Sequence, residues 1–91
     1  MRLSRDSVTM KNALEVKKEG YVALDRGDAQ IDFSTVQEVD SSAVSVLLSW
    51  MRYAKEKGLA LEVHHVPHSL VSLLTLYGIL PLFAKNIRGE D

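Results

Sequence analysis

Three adjacent residues carry most of what this chain could use for chemistry: Asp40, Ser41 and Ser42, set between Val39 and Ala43 just ahead of a long run of apolar residues at helical spacing. All three are good N-cap types, whose side-chain oxygen can accept a hydrogen bond from one of the unpaired N–H groups that open a helix. A helix start is also a prepared anion site, so a phosphate on a hydroxyl here would meet N–H donors and the positive end of the helix dipole. Asp40 opposes that charge by repulsion. The other chemistry-bearing residues converge poorly. His64 and His65 are neighbours on an expected strand and point to opposite faces, so they cannot chelate one metal, and His68 adds no ligand geometry. The sequence has no Gly-x-Ser-x-Gly elbow and no glycine-rich phosphate loop. The expectation is a protein that binds rather than catalyses, without metal or cofactor.

The residues after the turn must position it. From Ser42, Val44, Leu47, Leu48, Met51 and Ala54 fall on one side of a helix turning about 100° per residue, and Gly58 stands where a C-terminal left-handed glycine would. Ser45, Ser49, Arg52 and Glu56 form the polar arc. Val46, Trp50 and Tyr53 extend the apolar stripe around its side, either as core filling or as a partner patch. Before the turn, residues 29–33 alternate apolar and polar, the period of a half-buried strand.

Elsewhere the pattern predicts short strands at 2–4 and 7–10, antiparallel about Arg5-Asp6, and then a helix capped by Asn12 in which Ala13, Val16, Gly20, Ala23 and Leu24 recur. Gly20 leaves a hairpin of 14–16 with 21–24 open, because an internal glycine costs a helix about 1 kcal/mol. Residues 59–66 read as a strand stopped by Pro67. A last helix is capped by Ser69, striped with Leu70, Leu73, Leu74 and Tyr77, and ended by Gly78 with Ile79 closing the cap. After residues 80–83 the packing pattern is lost, and 84–91 should fray. The order predicts a single α/β domain over 1–83, a small mixed β-sheet with helices packed against it.

Composition is that of an ordinary soluble chain: 91 residues, 46% hydrophobic, 25% charged, net charge −1 and no cysteine. There is no basic excess to attract nucleic acid, no thiolate site, no signal-peptide pattern and no apolar run long enough to insert in a membrane. A cytoplasmic location is expected.

The strand Ile31-Asp32-Phe33-Ser34, then Val36, then Val39-Asp40-Ser41-Ser42-Ala43-Val44 and the long helix resemble the STAS domain. Over about 3–83 the chain is most similar to the small STAS subunit of the Mla phospholipid ABC transporter, including the closing run Ser69-Leu-Val-Ser-Leu-Leu-Thr-Leu-Tyr-Gly-Ile-Leu. Ala43 stands where the family usually has glycine. The resemblance implies a noncatalytic subunit that binds and supports the transporter's ATPase, in a system maintaining outer-membrane lipid asymmetry, and sits in the cytoplasm at the inner membrane through that partner. Its alternative is an anti-sigma-factor antagonist that binds an anti-sigma kinase and is switched by phosphorylation of Ser41. Under either, the expected partner-binding residues are Asp40, Ser41, Ser42, Ala43, Val46, Trp50 and Tyr53.

Overall fold

A computed structural model of the chain describes residues 1–88. The elements follow in the order β1 (Ser7–Val8), α1 (Ala13–Asp25), β2 (Gln30–Asp32), β3 (Glu38–Val39), α2 (Ser41–Glu56), β4 (Glu62–His64), α3 (His68–Leu76), a 3₁₀ turn (Leu80–Phe83) and β5 (Ile87–Arg88). The chain is thus the expected single α/β domain with three helices on small sheets. One ladder runs β2-β4-β5 and the other β1-β3. Ile31 lies opposite Val63, and Val63 opposite Ile87. Helices α2 and α3 return the chain to the neighbouring strand in the same direction, so both steps of this ladder are parallel, as βαβ connections require.

The opening antiparallel pair is not formed. Arg2 bridges Asp32 in parallel, and β1 pairs in parallel with β3, so the first eight residues lie along two different strands instead of folding on themselves. Arg5-Asp6 cannot act as a hairpin turn because both residues are held elsewhere. The Arg5 guanidinium pairs with Glu15 and Glu19 of α1, and the Asp6 carbonyl accepts from the amides of Gln37 and Glu38. The Thr35 hydroxyl lies 2.7 Å from the Leu3 carbonyl oxygen and 2.8 Å from that of Arg5, fixing the segment further.

Residues 13–25 resolve as helix with Arg26 as its C-cap, and the glycine that left a hairpin open has a packing reason. A Cβ on Gly20 would lie 2.1 Å from Nε1 of Trp50, whose indole N–H donates to the Lys17 carbonyl at 3.0 Å. Helix α1 therefore gives up a side chain so that the indole can lie against its backbone. Trp50 is fully buried and meets Phe33 edge-on, with ring centroids 6.1 Å apart. Around this pair the core gathers Val16 and Leu24 from α1, Ile31 from β2, Val44 and Leu47 from α2, Val63 from β4 and Leu70 and Leu74 from α3.

Three local expectations differ in detail. Asn12 precedes α1 but makes no side-chain cap; its amide donates to the Ser7 carbonyl and its oxygen accepts from Thr9 N–H, tying the helix start to β1. Helix α3 starts at His68, one residue before Ser69, with Pro67 in the N-cap position, whose carbonyl accepts from Leu70 and Val71. The stretch after Phe83 is tied down as far as Arg88: Val63 N–H donates to the Asn86 carbonyl at 2.7 Å and the Asn86 side chain donates to the Leu61 carbonyl at 2.9 Å, seating β5. Two strand residues are too few for a pattern to show in sequence; residues 89–91 lie outside the described residues.

Candidate functional site

The Asp40 turn sits where β3 ends and α2 begins. Asp40 is extended, with φ −131° and ψ −169°, the conformation in which an N-cap side chain reaches back over the first turn. One carboxylate oxygen accepts from the Ser42 amide at 2.8 Å, and the other accepts from the Met10 amide at 3.0 Å, joining the β1–α1 loop to the α2 start. Partial desolvation pushes its pKa up, but the amide donors Met10 and Ser42 outweigh it, so the carboxyl titrates below its ordinary value and stays ionised at neutral pH. Ser41 is the first residue of α2 and is exposed, while Ser42 is half-buried.

The remaining residues expected at a partner face separate from this turn. Ala43, Val46 and Trp50 are 1%, 3% and 0% exposed, so they fill the core and cannot meet a partner's surface. The helix is long enough that its apolar stripe spreads across two neighbours, α1 and α3, and the wide stripe reads in sequence like surplus. Tyr53 is half-buried three turns along α2, about 18 Å from Ser41 at 1.5 Å per residue. Its hydroxyl donates to Asp25 at 2.7 Å, its ring stacks on Tyr21 at 4.3 Å, and Lys57 reaches Asp25 at 2.9 Å. The hydroxyl of Tyr53, then Lys57, hold the Asp25 carboxyl low, and Asp25 in turn raises the Tyr53 pKa. This group clasps α1 to α2 and lies apart from the turn.

What does meet at the turn comes from α3 and the β1–α1 loop. A groove of about 700 Å³ runs between Asp40-Ser41 and the outer side of α3, walled by Leu73, Leu76 and Tyr77. Leu76 is 75% exposed, Tyr77 49% and, beside the Asp40 carboxylate, Met10 78%. Tyr77 was expected on the inward stripe, but Leu70 and Leu74 fill that face, and Tyr77 stands at the C-cap just before Gly78 turns the chain with φ +71°. The sequence offered only a faint signal for Leu76 and Tyr77: helix α3 contains no Asp, Glu, Lys or Arg, and its polar arc is made only of His68, Ser69, Ser72 and Thr75. Past Ser42 a smaller groove lies between α1 and α2, lined by Leu14, Lys17, Ser45 and Ser49.

Asp40, Ser41 and His68 share the larger groove, yet among the described residues His68 makes no hydrogen bond to either, and both Asp40 oxygens are engaged by backbone amides. A nucleophile and base are therefore not assembled. Among the described residues no group of three or more His, Asp or Glu side chains is placed to hold a metal ion. His64 instead faces Glu62 at 3.2 Å and His65 faces Asp32 at 3.3 Å. No described helix is long and apolar enough to cross a membrane.

No curated protein matches the chain. The family model described as the Mlab STAS domain matches residues 4–82, a span that includes β1, all three helices, the Asp40 turn and both walls of the groove. The chain belongs to the STAS domain family, in its MlaB-like branch.

Proposed function

We propose that this protein is a noncatalytic subunit that docks on the ATPase of an ABC-type phospholipid transport complex, and does so through the face formed by the Asp40-Ser41 turn and the outer side of α3. STAS domains are generally noncatalytic binding domains, which supports a binding role for this one. The observation that carries the reading is the exposure of Leu76, Tyr77 and Met10 around the turn. A large apolar side chain at 75% exposure contributes nothing to its own fold, and three of them about one small-residue helix start make the kind of patch that a partner covers. Asp40 holds the α2 start in place, Ser41 offers a short hydroxyl, and Leu76 and Tyr77 supply the apolar contact. In this role the protein works on the cytoplasmic side and reaches the inner membrane only through its partner. A second reading, a switched antagonist of an anti-sigma kinase, is favoured by the exposure of Ser41 at the first position of α2, where a kinase can reach the hydroxyl.

The test is affinity purification of the tagged chain from its own cells, wild type beside the double variant Leu76→Ser/Tyr77→Ser, with circular dichroism confirming that both are folded. The ATPase and its permease should come down with wild type and fall at least tenfold with the variant. Equal recovery by both proteins would remove the docking face from the proposal. Recovery of a protein kinase instead, with phosphate on Ser41, would favour the second reading.

A further inference from the structure

We infer that the groove between Asp40 and α3 takes an amphipathic helix of the partner, carrying two or three apolar side chains and one lysine or arginine that pairs with Asp40. This rests on the reading above that this face docks a partner, and adds what the partner must present.

Shape argues for side-chain recognition by a helix. Leu73, Leu76 and Tyr77 stand at i, i+3 and i+4 on α3 and its C-cap, an apolar stripe in which Leu73 is half-buried against the core and Leu76 and Tyr77 are exposed, unlike the fully buried Leu70 and Leu74. Such a stripe is the surface against which another helix seats its own row of side chains. Beyond Val39 of β3 and the opening residues Asp40 and Ser41, the groove wall is the side-chain surface of α3, which offers an added strand no ladder.

Charge argues for a cation. Asp40 is the one fixed charge among the described residues lining the groove, with no lysine or arginine; His68 and Tyr77 are the other titratable groups. Glu38, two residues before Asp40, is exposed and adds to the negative field at that end. The Asp40 oxygens accept the Met10 and Ser42 amides, with the Ser42 hydroxyl also turned toward the carboxylate, and a carboxylate has about four lone-pair sites, so the group can still receive a cation without leaving its cap. A second copy of the chain fits less well. A twofold contact through this groove would set Asp40 near its own symmetry mate with no base in the groove to offset the pair.

The test is selection of a displayed library of helical peptides on the full-length chain, followed by fluorescence anisotropy of the enriched peptides. The enriched sequences should share an apolar i, i+3/i+4 stripe with lysine or arginine at a fixed offset. Leu76→Ser/Tyr77→Ser should weaken them at least tenfold. Asp40→Asn, which keeps an N-cap residue, should remove most of the preference for the basic peptide over its glutamate counterpart. The inference is overturned by enrichment without a basic preference, by binding that ignores both variants, or by no enrichment at all. It is equally overturned if sedimentation shows a dimer that Leu76→Ser dissolves, since a second copy then fills the groove. If the ATPase is captured in cells but the peptides fail, only this inference falls. If the peptides behave as expected and no ATPase is captured, the transport reading falls and the chemistry of the groove stands.

Discussion

Gly20 and Trp50 show how one residue decides what its neighbour can be. An alanine at position 20 would gain roughly 1 kcal/mol of helix propensity, yet its Cβ would lie 2.1, 2.2 and 2.7 Å from three atoms of the Trp50 ring system. A buried indole held by its bond to Lys17 cannot swing aside as a flexible side chain would. Overpacking of this kind costs about 1 to 3 kcal/mol. Gly20→Ala should therefore lower the urea midpoint, and a variant more stable than wild type would show that the contact between the helices yields easily. Asp40 is the second such residue. Asp40→Ala removes the α2 cap and leaves the Met10 amide without its carboxylate, with an expected loss of about 1 kcal/mol at neutral pH. Because the folded carboxyl titrates below its ordinary value of 3.8, its contribution is complete above that pH and fades as pH falls through the lower folded value. Urea melts of wild type and Asp40→Ala should accordingly differ at neutral pH and converge in acid below 3.8. A gap that persists unchanged in acid would mean the carboxylate's charge is irrelevant to the cap.

At the scale of elements, the helices were legible and the strand ends were not, for a physical reason. Helix α2 spans sixteen residues, so its repeat of Val44, Leu47, Met51 and Ala54 runs over several turns and its acidic cap stands out. A strand of two or three residues has no period to detect. The pairing of β1 with β3 depends on where Arg5 and Asp6 are held, and no local spacing encodes those long-range contacts. The same limit affected the site. Asp40, Ser41 and Ser42 announced themselves by type, whereas Trp50 looks equally like core and like interface until Gly20 is seen beneath it. Tyr77 was read as part of the inward apolar stripe, and Leu76, lying between Ser69 and Ser72 on the helix arc, was not singled out. Strand β5 offers a direct check on the part that the sequence did not reveal. Ending the chain after Ala84 removes half-buried Ile87 from its place against Val63, together with the Asn86 hydrogen bonds, and should cost about 2 to 4 kcal/mol from lost burial and hydrogen bonding. An unchanged thermal melt of the shortened chain would mean that β4 is an adequate edge by itself.

Taken as a whole, the molecule divides its apolar residues between two tasks, and the division can be measured. A domain of 91 residues has a modest core, so each fully buried side chain is a large fraction of its stability. Leu47, with no exposed surface in the middle of α2, belongs to the first task. Leu47→Ala should cost about 2 to 5 kcal/mol, by lost burial plus the cavity left in the core. Leu76, three-quarters exposed on α3, belongs to the second. Replacing it with serine removes little that folding had buried, and the expected stability change is within about 0.5 kcal/mol. The two variants should thus separate in opposite senses: Leu47→Ala should lower the urea midpoint sharply yet keep partner binding wherever the protein is still folded, and Leu76→Ser should melt like wild type yet lose the partner. The comparison needs both readouts on both proteins, since a destabilised chain also binds less simply because less of it is folded. Correcting recovery for the folded fraction removes that overlap. If Leu76→Ser proves as damaging to the melt as Leu47→Ala, then the outer stripe of α3 serves folding, and the surface assigned to a partner would have to be sought past Ser42, between Leu14 and Ser45.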